Sequence, residues 1–143
     1  MNSNTCKILL IDDDHEDQWL VKRSFEASGR CQLEVVNNGA EALQLLRDTT
    51  GFSPDVILLD LNMPVMDGPT FLQHFYSDRS IRRIPIIVLT TSNLEEHVWK
   101  CYELGASAYI VKPATFEKFK TLAVKMEGFW CDCVERPPGR SVL

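Results

Sequence analysis

Val56-Ile57-Leu58-Leu59-Asp60 is a run of four aliphatic residues stopped by a carboxylate. The run is too short for a helix and has no alternation, so it reads as a strand covered on both faces of a parallel sheet. The same design recurs along the chain. Ile8-Leu9-Leu10-Ile11 stops at Asp12-Asp13-Asp14, Ile86-Ile87-Val88-Leu89 at Thr90-Thr91-Ser92, and Ala108-Tyr109-Ile110-Val111 at Lys112-Pro113. Leu33-Glu34-Val35-Val36 is partly polar, as an edge strand with one wetter face should be.

Between these runs the apolar period becomes helical. Leu20, Val21, Phe25 and Ser28 mark one face, and Ala42, Leu43 and Leu46 a second. Phe71, Leu72, Phe75 and Tyr76 follow the third strand, and Leu94, Val98, Cys101 and Tyr102 the fourth. Phe116, Phe119, Leu122, Ala123 and Met126 follow the fifth. Pro69, after the turn pair Asp67-Gly68, suits a first helical turn. Gly105 sits where a helix should end. Five β-α units in succession predict an α/β fold, with a doubly wound parallel sheet wrapped by helices on both faces. Five strands in 143 residues leave no room for a second domain. The tail from Glu135 to Arg140 reads as irregular.

Composition narrows the function. The chain is 45% apolar and 24% charged, with a net charge of −5. That balance suits a globular domain and argues against nucleic-acid binding, which calls for a basic patch. No strictly apolar run exceeds four residues, so no membrane span is expected. The first residues lack the apolar stretch of a secretory signal. Five cysteines, an odd number, then point to reduced thiols in a cytoplasm.

Doubly wound sheets bind ligands at the C-terminal ends of their strands. Here those ends are Asp12, Asp13 and Asp14, then Asp60, Thr90 and Lys112. Two carboxylates ~5 Å apart repel by roughly 3 kcal/mol at an effective dielectric of ~20. A purely structural sheet has no use for that cost. A hard divalent cation relieves it, and Mg²⁺ takes oxygen ligands and bridges to phosphoryl groups. A lysine and a hydroxyl opposite complete a constellation suited to phosphoryl chemistry.

These residues resemble the response-regulator receiver domain of two-component signalling. The resemblance runs through Ile8 to Asp14, Asp55 to Gly68, Pro85 to Thr90 and Gly105 to Pro113, and covers about residues 6–127. It implies one receiver domain over residues 1–143, with a C-terminal helix extension and tail from 128 onward. It implies a flavodoxin-like (βα)5 fold with strand order 2-1-3-4-5. By the same resemblance Asp60 is the phospho-acceptor, fed by a sensor histidine kinase. Asp12, Asp13 and Asp60 hold Mg²⁺ with the backbone carbonyl of Asn62. Lys112 pairs with a phosphoryl oxygen, and Thr90 contacts the phosphoryl group and moves on activation. Tyr109 is the switch aromatic that moves with Thr90, changing the face built from the fourth and fifth units. Pro113 matches a proline whose preceding bond is cis in the family. Asp14 stands where such domains often carry asparagine or another polar residue. Such a domain is not an enzyme in the ordinary sense, since it catalyses only its own phosphorylation and dephosphorylation.

A narrower resemblance is to single-domain regulators that partner phytochrome-type sensor kinases. It rests on Leu89-Thr90-Thr91-Ser92 with Glu95-Glu96, on Ser107 to Pro113, and on Phe129-Trp130 before Pro137-Pro138. Those regulators form homodimers through the fourth and fifth units.

The rival reading is a Mg²⁺-dependent phosphohydrolase of the haloacid-dehalogenase type. Asp12 and Asp14 have that class's two-residue spacing. Against it, Glu16 replaces the expected Thr or Val, no acidic pair comes after the lysine, and no cap is inserted. A DNA-binding regulator does not fit either, with 30 residues after Pro113. Cys131-x-Cys133 lacks a second pair and does not predict a metal site. His97 and Cys101 share a helix spacing, best read as helix surface. His15 reads as the start of the first helix. Trp99 and the Phe129-Trp130 pair read as core or as a partner surface.

Overall fold

The computed structural model describes residues 5–135 except 28 and 49. Ser28 and the tail from residue 136 lie outside the described residues. The strands are β1 (Cys6–Ile11), β2 (Cys31–Val36), β3 (Val56–Leu59), β4 (Ile86–Thr90) and β5 (Ala108–Val111). The helices alternate with them: α1 (His15–Glu26), α2 (Gly39–Arg47), α3 (Gly68–Ser77), α4 (Glu95–Glu103) and α5 (Phe116–Glu127). A π-helical segment, Gly128–Cys133, continues α5. All strand pairs are parallel and the order is β2-β1-β3-β4-β5. The sheet is therefore the doubly wound one expected.

Local chemistry explains where the helices begin. Asp14, Asn38, Asp67 and Thr115 each accept a hydrogen bond from a first-turn N–H of the helix they precede. Such caps satisfy donors the helix cannot pair internally. Gly105, after α4, takes a φ of +109°, a conformation that favours glycine.

The pleat sorts each strand between two cores. Leu9, Ile11, Ile57, Leu59 and Val88 pack with Phe71, Leu72 and Phe75 of α3 and with the apolar face of α2. Ile8, Leu10, Val56, Leu58 and Leu89 pack with Val21 and Phe25 of α1 and with Phe119, Ala123 and Met126 of α5. Each fully buried side chain of this size contributes roughly 1.5–3 kcal/mol. The central strands thereby become a rigid platform for the polar residues at their C-terminal ends.

Four details depart from the sequence expectation. β5 is an edge strand, so it is half-covered and Val111 is exposed. In α4 only Cys101 is buried, while Leu94 and Tyr102 face outward. The α4 helix docks by a narrow strip because it covers the edge of the sheet. Cys101 is therefore core rather than helix surface. Trp99 and Phe129 are exposed, whereas Trp130 packs against the α1/α5 core. The peptide bond before Pro113 is trans, not cis. Trans is the lower-energy isomer by about 0.5–1 kcal/mol for a proline bond.

Candidate functional site

Strand register brings the site together. Ile11 and Leu59 are direct partners between β1 and β3, so the next residues, Asp12 and Asp60, emerge side by side. The Asp60 N–H donates to the Ile11 carbonyl at 2.9 Å. On the other side Thr90 pairs with Val111 in the β4–β5 ladder, and the Lys112 N–H donates to the Thr90 carbonyl at 2.7 Å. Gly68 closes the loop after Asp60. Its N–H donates to the Leu61 carbonyl at 2.9 Å, and a Cβ there would lie 2.7 Å from Leu61 Cα. Only glycine allows that approach.

The side chains form one polar nest. Oxygens of Asp12, Asp13 and Asp60 all lie within 4.8 Å of one another. Asp12 and Asp60 are buried, and Asp13 stands on the more open side. Lys112 Nζ lies 2.8 Å from Asp12 Oδ2, 2.6 Å from Asp17 Oδ2 and 3.7 Å from Asp60 Oδ1. The Lys112 side chain is itself only 5% exposed. Thr90 Oγ1 is buried and forms no hydrogen bond. It nevertheless lies near enough to Asp60 to favour the carboxylate. A buried hydroxyl without a partner costs about 1–3 kcal/mol.

Electrostatics reflect this burial. Burial pushes the Asp12 carboxyl up to about 6, although Lys112 and the Asp14 N–H pull it down. Asp60 is also raised, by burial first, against the pull of Lys112 and Thr90. Burial works to lower Lys112, but its bonds to Asp12 and Asp17 outweigh that and raise it. Crowded carboxylates with lone pairs facing each other are hard oxygen donors, the donor set that suits a small divalent cation. The unpartnered Thr90 hydroxyl and the poised ammonium suit an anion placed against Asp60. The nest therefore fits both a cation and a phosphoryl group.

Asp12, Asp13, Asp60, Thr90 and Lys112 thus meet as expected. The Asn62 residue lies two positions after Asp60 on the exposed loop. Tyr109 lies on β5, and its hydroxyl donates to the Ser92 carbonyl at 2.9 Å. Burial raises its pKa. Asp14 does not join the nest. Its carboxylate is turned to the N–H groups of Glu16 and Asp17 as the α1 cap. The Asp12/Asp14 pair that a haloacid-dehalogenase site needs is thus not formed. Sequence reading misses Asp17 and Gln18. Gln18 Nε2 donates to the Asp12 carbonyl and to Asn37 Oδ1, tying the ends of β1 and β2 to α1. Both sit in the first turns of α1, three and four residues past the cap Asp14. That spacing is the one signal of them in the chain.

Fold and nest together define a phospho-accepting signalling domain, and the chain belongs to the response regulator receiver domain family, which matches residues 8–123. The response regulator Rcp1 of Synechocystis sp. is 32% identical over 135 residues, covering 91% of this chain and 92% of that protein. The crystal structure of the phosphorylated cyanobacterial phytochrome response regulator RcpA superposes with a TM-score of 0.87 at 32% identity. It covers 94% of this chain and 99% of that one. The Mn²⁺-bound form of Rcp1 gives a TM-score of 0.83 at 31% identity, covering 93% and 99%. The bacteriophytochrome response regulator RtBRR is 40% identical, with a TM-score of 0.71, covering 94% and 86%. Receiver domains are signalling proteins that take phosphoryl groups from histidine kinases and bind a divalent metal. Among the described residues no helix is long and apolar enough to cross a membrane.

Proposed function

We propose that Asp60 is the phospho-acceptor of this receiver and that Lys112 and Thr90 serve the transferred group. The carrying observation is a buried Asp60 with Lys112 Nζ at 3.7 Å and an unpartnered Thr90 hydroxyl beside it. An Asp60 oxygen attacks the phosphorus of a phosphohistidine, forming a P–O bond as the P–N bond of the donor breaks. The Lys112 ammonium offsets charge on a phosphoryl oxygen, and the Thr90 hydroxyl gains the hydrogen bond it lacks. Mg²⁺ held by Asp12, Asp13, Asp60 and the Asn62 carbonyl would neutralise the carboxylates and the incoming phosphoryl charge. Tyr109 then leaves Ser92 as the segment after Thr90 rearranges, changing the surface of α4, β5 and α5. The domain catalyses only this modification and its reversal. The whole chain, residues 1–143, serves as one receiver with an extension from 128.

The likeness to the phytochrome response regulator RcpA and the bacteriophytochrome response regulator RtBRR supports a phytochrome-type sensor kinase as donor, and the reduced thiols expected from the sequence support a cytoplasmic setting. Exposed Leu94, Trp99, Tyr102 and Val111 support a homodimer through the same α4-β5-α5 surface. A mass by light scattering at ~100 μM tests it, since a stable dimer must bury more than ~1,000 Å². A monomer with and without beryllofluoride defeats that part.

Labelling with acetyl phosphate or a kinase tests the acceptor. Asp60→Asn should abolish hydroxylamine-sensitive incorporation, because the amide keeps the shape and loses the nucleophile. Undiminished label on that variant overturns the assignment, and label on Asp12 would favour the phosphohydrolase reading.

A further inference from the structure

The end of the sheet opposite the acidic nest carries a second cluster. Cys6 opens β1 and Cys31 opens β2, and the two are direct partners across the parallel ladder. Registered partners point to the same face, here the face covered by α1 and α5. The π-helical segment after α5 brings Cys131 back to the same spot. The three sulfurs lie within 4.8 Å of one another. Cys6 and Cys131 are buried and Cys31 is half-buried. Sequence spacing singles out Cys131 with Cys133, but Cys133 is exposed and the partners of Cys131 are 125 and 100 positions away.

The cluster is more than three small apolar side chains. Glu127, only 3% exposed, sits against it, and the Cys31 thiol reaches its carboxylate. Arg30 lies close enough to Glu127 to favour its charge, and its guanidinium also pairs with Asp132 of the π-helical segment. A carboxylate inside a core is costly unless it is paired or bound to a metal. Six residues at ~3.3 Å each separate Cys6 from Asp12, so this place is about 20 Å from the phospho-acceptor end.

Geometry and donor softness agree on an occupant. Tetrahedral Zn²⁺ with Zn–S near 2.3 Å sets its sulfurs ~3.8 Å apart. The sulfurs need to close by no more than about 1 Å to reach that spacing. Thiolates select Zn²⁺ over the hard cations that suit the acidic nest. We propose that Cys6, Cys31 and Cys131 bind one Zn²⁺ that clasps the C-terminal extension to the start of β1 and β2, with water completing the tetrahedron and Glu127 beside the site. Binding exchanges three thiol protons, released to water, for the cation. The clasp fixes the segment that presents Phe129 to solvent.

The test uses the full chain, reduced, in excess Mg²⁺ so that the oxygen nest does not compete for Zn²⁺. The expected result is one equivalent of Zn²⁺ held against a chromophoric chelator, with a higher Tm on loading. Co²⁺ in its place should give a near-ultraviolet thiolate-to-cobalt band, which oxygen donors do not produce. Cys31→Ser, at the most open of the three positions, should weaken uptake by more than the ~10–100-fold typical of losing an outer-shell partner. It should lower the Co²⁺ band at equal Co²⁺ while its circular dichroism stays native. Cys131→Ser should do the same, and Cys133→Ser should change nothing. No Zn²⁺ uptake, a disulfide among the three after mild oxidation of protein that takes no metal, or loss of uptake in Cys133→Ser would overturn the site. Loss of Zn²⁺ uptake only in Asp13→Asn would place the ion in the oxygen nest and equally overturn it.

Discussion

Lys112 Nζ lies 2.6 Å from Asp17 Oδ2, closer than the 3.7 Å that separates it from the proposed acceptor Asp60. In this state the ammonium is held by α1 and the end of β1, one step away from Asp60. Lys112 is therefore the shared counter-charge of Asp12, Asp17 and Asp60. Removing it should be costly. Lys112→Ala leaves buried carboxylates without this partner and should destabilise the metal-free protein by ~3 kcal/mol or more. Asp17→Asn leaves Lys112 with Asp12 and Asp60, and should cost ~1 kcal/mol or less, since Asp17 is a quarter exposed. Urea denaturation in EDTA compares them. Equal losses would mean that the ammonium belongs to Asp17 rather than to the nest.

The acids themselves should weaken the metal-free fold. Two charges 4.8 Å apart repel by between ~0.9 and ~3.5 kcal/mol as the effective dielectric falls from that of water to ~20. Asp13→Ala and Asp60→Asn should each stabilise the protein in EDTA by ~1–2 kcal/mol after screening. Mg²⁺ at ~10 mM should raise the wild-type Tm by mass action and do much less for either variant. Variants that melt lower in EDTA, with equal Mg²⁺ shifts in all three, would contradict the repulsion.

The pH trend has a definite sign. Asp12 is raised to about 6 in the fold against an ordinary value of 3.8, and Asp60 moves the same way. The folded protein therefore binds protons more tightly than the unfolded chain between those values. Stability from these groups is complete below about pH 4 and is lost as pH rises through about 6. In EDTA the Tm should climb as pH falls from ~7.5 to ~5, and the climb should shrink in Asp12→Asn. A Tm that drops over that range would reverse the assignment.

Much of the fold and the nest is legible in the chain because the central strands leave no ambiguity. Val56 to Leu59 and Ile86 to Leu89 are buried on both faces, so their apolar runs end where the chemistry starts. The features outside reach depend on geometry between distant elements. Asp17 looks like any first-turn acid until the end of β5 brings Lys112 over it. The exposed face of α4 is likewise decided by tertiary packing. Nothing in the spacing of Cys6, Cys31 and Cys131 announces that they meet.

The loop after Asp60 holds one unfavourable residue. Val65 has a φ of +68°, a region β-branched side chains rarely adopt. The Met66 N–H donates to the Pro64 carbonyl at 2.7 Å, closing a tight turn around it. A residue in such a region costs of order 1–3 kcal/mol, while glycine adds ~0.5–1 kcal/mol of chain entropy. Val65→Gly should therefore raise stability by ~1 kcal/mol, losing no packing because Val65 is 84% exposed. A loss of stability in thermal melting would show that the turn is not strained.

Tyr109 offers a way to see the switch without a partner. Its hydroxyl bond to the Ser92 carbonyl joins β5 to the loop after Thr90. Ser92 Oγ in turn lies 2.6 Å from His97 Nδ1, so the loop is tied to α4 as well. A part-buried hydrogen bond contributes ~0.5–1.5 kcal/mol net, so Tyr109→Phe should lose about 1 kcal/mol in the unphosphorylated protein. If the ring leaves Ser92 when Thr90 engages a phosphoryl group, the bond is absent from the activated state. The same substitution should then cost less in protein loaded with Mg²⁺ and beryllofluoride. Because the variant loses stability in one state only, its equilibrium shifts toward the active form. Paired urea melts with and without beryllofluoride measure the difference. An equal loss in both conditions would mean that Tyr109 stays at Ser92 throughout, and the switch would have to be sought elsewhere.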